Sequence, residues 1–146
     1  TIKSPRDINK LKSLGTIYMN ETPDLVMTFA VLALFTKEKT KITNIENLRI
    51  KETDRISALE NELKKLGAKV KTGKDWIEIL PREDFPSVDL QPLSKIRIET
   101  YNDHRMAMSF GILKDIFRNL TIKNPSCVSK SYTTFWKDLK KISKTN

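Results

Sequence analysis

The order in which strand-like and helix-like patterns follow one another constrains the fold of this 146-residue chain most strongly. From residue 16 to residue 80 the order is strand, helix, strand, helix, strand, strand. The last two strands flank a turn at Gly73, Lys74 and Asp75, which predicts a hairpin. After a proline-bearing connector at 81–94, the order restarts as strand, helix, strand, helix. We therefore predict an α/β fold (α+β in some schemes) with repeated βαβαββ units, one complete and one truncated.

Two helices are predicted before the helix that leads into the hairpin. The segment "SPRDINKLKSLG" predicts a short one, with Ser4 as its cap and Gly15 as its stop. A second begins at Thr22, Pro23 and Asp24 and continues through "LVMTFAVLALF", which is apolar nearly all round and should be buried. This run is far shorter than the ~20 residues of a membrane span, so no membrane partner is expected.

The remaining helices show apolar residues at three- and four-residue steps. In "KETDRISALENELKKLG" the repeat is closed by Gly67, and Lys51, Glu52 and Arg55 fall in its first turn. In "NDHRMAMSFGILKDIF" the cap is Asn102 or Asp103. A last helix spans about 134–142. The residues predicted to be buried on these three helices are Ile56, Leu59, Leu63, Leu66, Met106, Phe110, Leu113, Phe117, Phe135, Leu139 and Ile142.

Composition narrows the function. A single cysteine, Cys127, excludes an intramolecular disulfide, and no cysteine and histidine cluster has the spacing of metal ligands, so we expect no metal and a cytoplasmic location. The net charge of +9 comes mostly from lysines spread along the chain, which is typical of a solvated surface. No nucleic-acid partner is expected, although a basic RNA-binding module is an alternative. Anionic small molecules are natural partners.

Charged residues stand at the predicted helix starts. Lys51, Arg55 and Arg105 are placed where a helix N-terminus already carries partial positive charge, so each opposes the helix dipole by up to about 1 kcal/mol. This arrangement favours an anionic ligand bound between the cation and the helix. In the alternative, Asp54 and Asp103 simply neutralise the cations. An arginine can grip a phosphate or carboxylate with two parallel hydrogen bonds, which makes the arginines the stronger candidates.

At these residues the chain resembles a known family. The stretches "NLRIKETDRISALENELKKLGAKV", "YNDHRMAMSF" and "PDLVMTFAVLALF" are similar to the C-terminal part of the 5-enolpyruvylshikimate-3-phosphate synthases. The resemblance implies a two-domain enolpyruvyl transferase fold, of which this chain would be a partial domain covering 1–146. The implied reaction moves the enolpyruvyl group of phosphoenolpyruvate to the 5-hydroxyl of shikimate 3-phosphate and releases phosphate. It implies no cofactor.

The resemblance also implies roles for single residues. Asp24 matches a carboxylate that contacts the attacking hydroxyl, and Glu52 matches one placed for proton transfer at the methylene carbon of phosphoenolpyruvate. Asn47 and Lys51 match ligands of shikimate 3-phosphate. The cations that match the clamp on phosphoenolpyruvate are Arg55, Arg105 and Lys130, with His104 in a supporting role.

The chain begins at Thr1 rather than at a methionine, which suggests a piece of something longer. We expect the piece alone to be inactive or nearly so, because the resemblance places further ligands in the missing remainder of the enzyme. Self-association is plausible, since a missing unit leaves an apolar face or a strand edge uncovered. Another enolpyruvyl transferase or a cyclase with the same unit is the second enzymatic alternative. Cys127, in the last loop, is interpreted as a bystander.

Overall fold

The structure is a computed structural model that describes residues 11, 13–81, 83, 95–117 and 119–143. It divides into two compact units, one within Thr1–Leu90 and one within Gln91–Asn146. Of the helix predicted from Ser4 to Gly15, residues 4–10 and 12 lie outside the described residues, and residues 11 and 13–15 are not helical. Of the proline-bearing connector at 81–94, only residues 81 and 83 are described. None of the described helices has the length and apolar character that a membrane span requires.

A four-stranded sheet forms one layer of the first unit. Its strands are β1 (Thr16–Tyr18), β2 (Thr40–Thr43), β3 (Lys69–Thr72) and β4 (Trp76–Leu80), in the order β1-β2-β4-β3. The first two strands are parallel, and the other pairings are antiparallel. The predicted hairpin of β3 and β4 is therefore confirmed. Buried residues alternate with more exposed ones along β2 and β4, and Val70 of β3 is buried as well, so these strands share one buried face, on which Ile42 pairs with Ile77. No residue of β1 is buried.

Two helices pack together in the first unit, and the second of them also packs on β3 and β4. The first, α1 (Val26–Leu32), lies between 3-10 turns at Pro23–Leu25 and Ala33–Phe35. It is not buried all round as predicted, because Leu25 and Leu32 are exposed. Thr22 stands at the cap position, but its side chain makes no capping hydrogen bond.

The second helix of this unit, α2 (Arg55–Lys65), carries the predicted apolar face. Leu59 and Leu63 are fully buried, as are the strand residues Ile77 and Ile79. Gly67 ends the helix with a φ of 87°, a left-handed conformation that glycine adopts without steric cost. The amide of Gly67 donates to the Lys64 carbonyl, which confirms the predicted stop.

The second unit contains two parallel strands, β5 (Ile96–Ile98) and β6 (Leu120–Ile122). Between them α3 (His104–Gly111) continues into a 3-10 turn at Ile112–Asp115. All four residues predicted for the apolar face of this segment, Met106, Phe110, Leu113 and Phe117, are buried.

The last helix, α4 (Phe135–Ser143), follows a 3-10 segment at Pro125–Lys130. It was predicted to bury Phe135, Leu139 and Ile142, and this is wrong for Ile142, which is 67% exposed. Phe135 and Leu139 are only half-buried. The helix is strongly amphipathic, but the described residues of its unit cover only part of its apolar face.

Candidate active site

The start of α2 differs from the prediction. Arg55 is the first helical residue, and Asp54 is the cap, whose side chain accepts a hydrogen bond from the Ser57 amide at 3.1 Å. Lys51 and Glu52 therefore precede the helix, in a bend, instead of forming its first turn. An aspartate is a strong N-cap, and its position decides which of these charged residues becomes helical.

Arg55 is the centre of the candidate site. Its side chain is only 1% exposed, and its Nη2 donates to Oε2 of Glu52 at 2.8 Å. Its Nη1 lies 3.5 Å from Oδ1 of Asp24. One buried guanidinium therefore contacts two carboxylates that are 28 residues apart in sequence, through a hydrogen bond to Glu52 and an ion pair with Asp24.

The fold brings these three residues together in a simple way. Asp24 lies in the 3-10 turn that leads into α1, and Arg55 begins α2. The 3.5 Å distance between Arg55 Nη1 and Asp24 Oδ1 places the start of α2 beside the turn that leads into α1. The side chain of Asp24 is 51% exposed and that of Glu52 is 28% exposed, so both acids remain accessible from solvent while the arginine between them does not.

Asn47 and Lys51 lie on the segment that leads to the site. Asn47 is in the 3-10 turn Glu46–Ile50, and its buried Oδ1 has no hydrogen-bond partner within the described part of the chain. Lys51 follows that turn and is exposed. An amide oxygen in this state is suited to a donor brought by a ligand, such as a hydroxyl group.

A hydrogen-bond network fixes the start of α2. Asp54 Oδ2 accepts from Arg49 Nη1 at 2.7 Å and from the Ser57 hydroxyl at 2.8 Å. Burial by itself raises the pKa of Asp54, but the hydrogen bonds from Ser57 and Arg49 outweigh it and place the pKa below its usual value of 3.8. The carboxylate is thus stabilised in its charged form by the groups around it.

We expect Asp54→Asn to destabilise the protein at neutral pH and to make little difference at low pH. A carboxyl whose pKa falls on folding contributes stability above its unfolded pKa, and this is lost as pH falls through the folded pKa. Asparagine keeps the cap acceptor but not the charge. Because Asp54 is more than a third exposed, the difference in free energy of unfolding should be at most ~1 kcal/mol.

Urea titrations of the two proteins at pH 7, and in steps from about pH 4 downward, measure this difference. The difference in free energy of unfolding between the two proteins should become smaller as Asp54 becomes protonated. If this difference stayed constant at every pH, the loss would come from a poorer cap geometry in asparagine and not from the missing charge.

The second unit contains three of the predicted site residues. Asp103 caps α3, because its Oδ1 accepts from the amides of Arg105 at 2.8 Å and Met106 at 3.3 Å. This settles the cap as Asp103 rather than Asn102. His104 is 7% exposed, and its Nδ1 has no hydrogen-bond partner among the described residues. Arg105 is half-buried in the first turn of the helix.

Lys130 lies beside a polar depression of about 370 Å³ in the same unit. Two asparagines at its edge have left-handed backbone conformations, with φ of 57° at Asn102 and 45° at Asn124, and their side chains are hydrogen-bonded at 3.1 Å. Cys127 is half-buried and lines the same depression. Its role stays a prediction.

The site's chemistry is that of acids and cations. Three of the five candidates in the first unit, Asp24, Glu52 and Arg55, are in direct contact. No group of three or more histidine, cysteine or acidic side chains suited to a metal ion occurs in the described residues. Two carboxylates next to a guanidinium can accept and donate protons beside an anion. Sequence reasoning missed Arg49, whose contacts with carbonyls far along the chain leave no local signal.

Comparison with known proteins gives the same family. The family model for EPSP synthase (3-phosphoshikimate 1-carboxyvinyltransferase) matches residues 3–139. The 3-phosphoshikimate 1-carboxyvinyltransferase of Buchnera aphidicola subsp. Cinara cedri is 45% identical over 134 residues, which are 91% of this chain and 29% of that protein. The enzyme of the same name from Mannheimia haemolytica is 44% identical over 125 residues, 86% of this chain and 28% of that protein.

A solved structure agrees with these sequence matches. The EPSP synthase of Acinetobacter baumannii superimposes with a TM-score of 0.67 at 27% identity, over 90% of this chain and 30% of that one. The chain therefore spans about 30% of the length of the proteins that it matches. Since the family model covers nearly the whole sequence, the chain belongs to the EPSP synthase family.

Proposed function

We propose that this chain is part of a 3-phosphoshikimate 1-carboxyvinyltransferase and carries both of its acid–base residues. The observation that carries the proposal is the contact of Asp24 and Glu52 with the single buried guanidinium of Arg55. The reaction transfers the enolpyruvyl group of phosphoenolpyruvate to the 5-hydroxyl of shikimate 3-phosphate, and inorganic phosphate leaves. An addition followed by an elimination needs a proton given to carbon and later removed, for which two separate carboxyl groups are suited.

In the addition, Asp24 accepts the proton of the 5-hydroxyl as its oxygen bonds to C2 of phosphoenolpyruvate. Glu52 delivers a proton to C3, so the methylene becomes a methyl group in a tetrahedral adduct. In the elimination, Glu52 takes a proton back from that methyl group, the C2–O bond to phosphate breaks, and the enol double bond is restored. Asp24 then releases the hydroxyl proton to solvent, to which its side chain is open. The half-exposed position of Asp24 favours contact with a hydroxyl that arrives from solvent.

For Arg55 we propose a role other than the direct contact with phosphoenolpyruvate that the resemblance implies. Because its side chain is 1% exposed, we propose that it orients the two acids and supplies positive charge behind them. For Arg105 and Lys130 we propose the role that the resemblance implies, which is binding of phosphoenolpyruvate. Asn47 and Lys51 hold shikimate 3-phosphate, which the unsatisfied Oδ1 of Asn47 supports. His104 supports Arg105 from the neighbouring position.

We propose further that the two units are one complete and one partial copy of the βαβαββ repeat of the enolpyruvyl transferase fold. The order of elements supports this, because strand, helix, strand, 3-10 segment and helix occur in both units. Asn44 after β2 and Asn124 after β6 share a left-handed conformation, with φ of 61° and 45°. We likewise propose that residues 1–146 are a single partial domain and that the protein is cytoplasmic. We also propose that the isolated chain self-associates.

The experiment compares this 146-residue chain with the complete transferase, meaning a polypeptide that contains these residues together with the rest of the relatives' length. We expect phosphate release from phosphoenolpyruvate that depends on shikimate 3-phosphate in the complete protein, and almost none from the chain alone. Enzyme-like turnover by the chain alone would contradict its proposed incompleteness. Turnover with UDP-N-acetylglucosamine instead of shikimate 3-phosphate would favour the other transferase, and salt-sensitive binding of RNA would favour the basic module.

A further inference from the structure

Arg49 makes side-chain hydrogen bonds to residues of the first unit that lie far from it in sequence. A solvated residue near a helix start would not need such contacts. Arg49 Nη2 donates to the carbonyl of Gly73 at 2.5 Å, and its Nε donates to the carbonyl of Lys74 at 3.1 Å. Its Nη1 donates to Asp54 at 2.7 Å and to the Ser57 hydroxyl at 3.1 Å. One side chain thus joins the hairpin turn to the start of α2.

The hairpin turn is a firm support for this contact. The amide of Gly73 donates to the carbonyl of Trp76 at 3.0 Å, and the amide of Ile45 donates to the carbonyl of Asp75 at 3.0 Å. A Cβ at Gly73 would lie 2.1 Å from Nε1 of Trp76, so the indole covers the turn closely. Lys41 lies over the same indole at 4.7 Å from the ring centroid. The carbonyls that Arg49 binds are therefore anchored to the sheet.

The other end of the Arg49 contact is adjacent to the acids. Asp54 lies between Glu52 and Arg55 in sequence and caps the helix through the Ser57 amide. If Asp54 moves, the bend that carries Glu52 and the first residue of α2 move with it. A displacement of about 1 Å at a reacting group can lower a rate by about a hundredfold.

We propose that Arg49 is a positioning residue for the transfer reaction, which sets the place of Glu52 and Arg55 by tying Asp54 to the Gly73–Lys74 carbonyls. This rests on the function proposed above. Among the described residues, Arg49 contacts neither Asp24 nor Glu52, so it acts through Asp54. The competing explanation is that Arg49 only stabilises the fold. The two explanations predict different effects on kcat when the Arg49 and Glu52 substitutions are made together.

The experiment is a double-mutant cycle in the complete transferase, with Arg49→Lys and Glu52→Gln alone and together. A lysine keeps the charge but cannot reach the turn and Asp54 at once. We expect Arg49→Lys to lower kcat by about tenfold to a hundredfold in the parent and by less than about twofold in the Glu52→Gln background. Arg97→Lys, at an exposed position of β5, is the matched control and should leave kcat unchanged.

Each result decides something. If Arg49→Lys lowers kcat equally in both backgrounds, or lowers only the melting temperature, the positioning role is overturned while the proposed function stands. If Glu52→Gln alone has no effect on kcat, the proposed function fails and the inference fails with it. Should Arg49→Lys not fold, Asp54→Asn replaces it, since asparagine keeps the helix cap and removes the charged partner; the same non-additivity with Glu52→Gln is then expected.

Discussion

Glu52→Gln in the complete transferase is expected to lower kcat by about a hundredfold to ten-thousandfold, the usual contribution of a positioned acid or base. Glutamine can still accept a hydrogen bond from Arg55, so the contact at 2.8 Å has a substitute and the fold should be preserved. What is lost is the ability to carry a proton to C3 of phosphoenolpyruvate. The Michaelis constant for shikimate 3-phosphate should change little, because Glu52 is not among its proposed ligands.

Solvent deuterium gives a sharper measurement than the rate alone. In deuterium oxide the methyl group of the adduct gains one solvent deuteron, and reversal of the addition leaves part of it in the methylene of phosphoenolpyruvate. We expect this exchange in the parent and in Glu46→Gln, an exposed acid in the preceding 3-10 turn. We expect it to be absent in Glu52→Gln. Exchange at the parental rate in Glu52→Gln would assign the proton transfer to another group.

Local patterns predicted most of the element order, because the signals lie within a few residues of their consequences. The alternation of Ile77 and Ile79 and the turn at Gly73 are sufficient for the hairpin, and the apolar steps up to Leu66 are sufficient for α2. The start of α2 was placed too early for a specific reason. Lys51, Glu52 and Asp54 are all compatible with a first turn, and only the hydrogen bond from the Ser57 amide to Asp54 selects the last as the cap.

The contents of the site depend on contacts that no local pattern records. The resemblance supplied Asp24, Glu52 and Arg55 as separate ligands, whereas the structure joins them through one guanidinium that solvent does not reach. Arg55 is almost fully buried at the start of its helix, and such burial is a property of the folded unit that the residues next to it in sequence do not encode. For the same reason the exposure of Ile142 could not be read from its helix, whose apolar face is well formed but only partly covered.

The burial of Arg55 leads to the second large expectation. Arg55→Met should lower the free energy of unfolding by about 2 to 4 kcal/mol, below the upper end for a broken buried ion pair because both acids are partly exposed. Methionine has a similar length and no polar atom to leave unsatisfied, so the loss comes from Glu52 and Asp24, which keep their negative charges side by side without the cation. Activity should fall together with stability.

Arg55→Lys separates charge from geometry. A single ammonium can approach one of the two carboxylates but cannot bridge both in the manner of a planar guanidinium, so we expect a smaller loss of stability, about 1 to 2 kcal/mol, with a kcat still lowered by about tenfold or more. Chemical denaturation and hydrogen exchange over residues 55–65 measure the stability, with Arg97→Met and Arg97→Lys as exposed controls. Parental stability in Arg55→Met would mean that the two carboxylates do not depend on this arginine, and the arrangement proposed for the proton transfers would lose its basis.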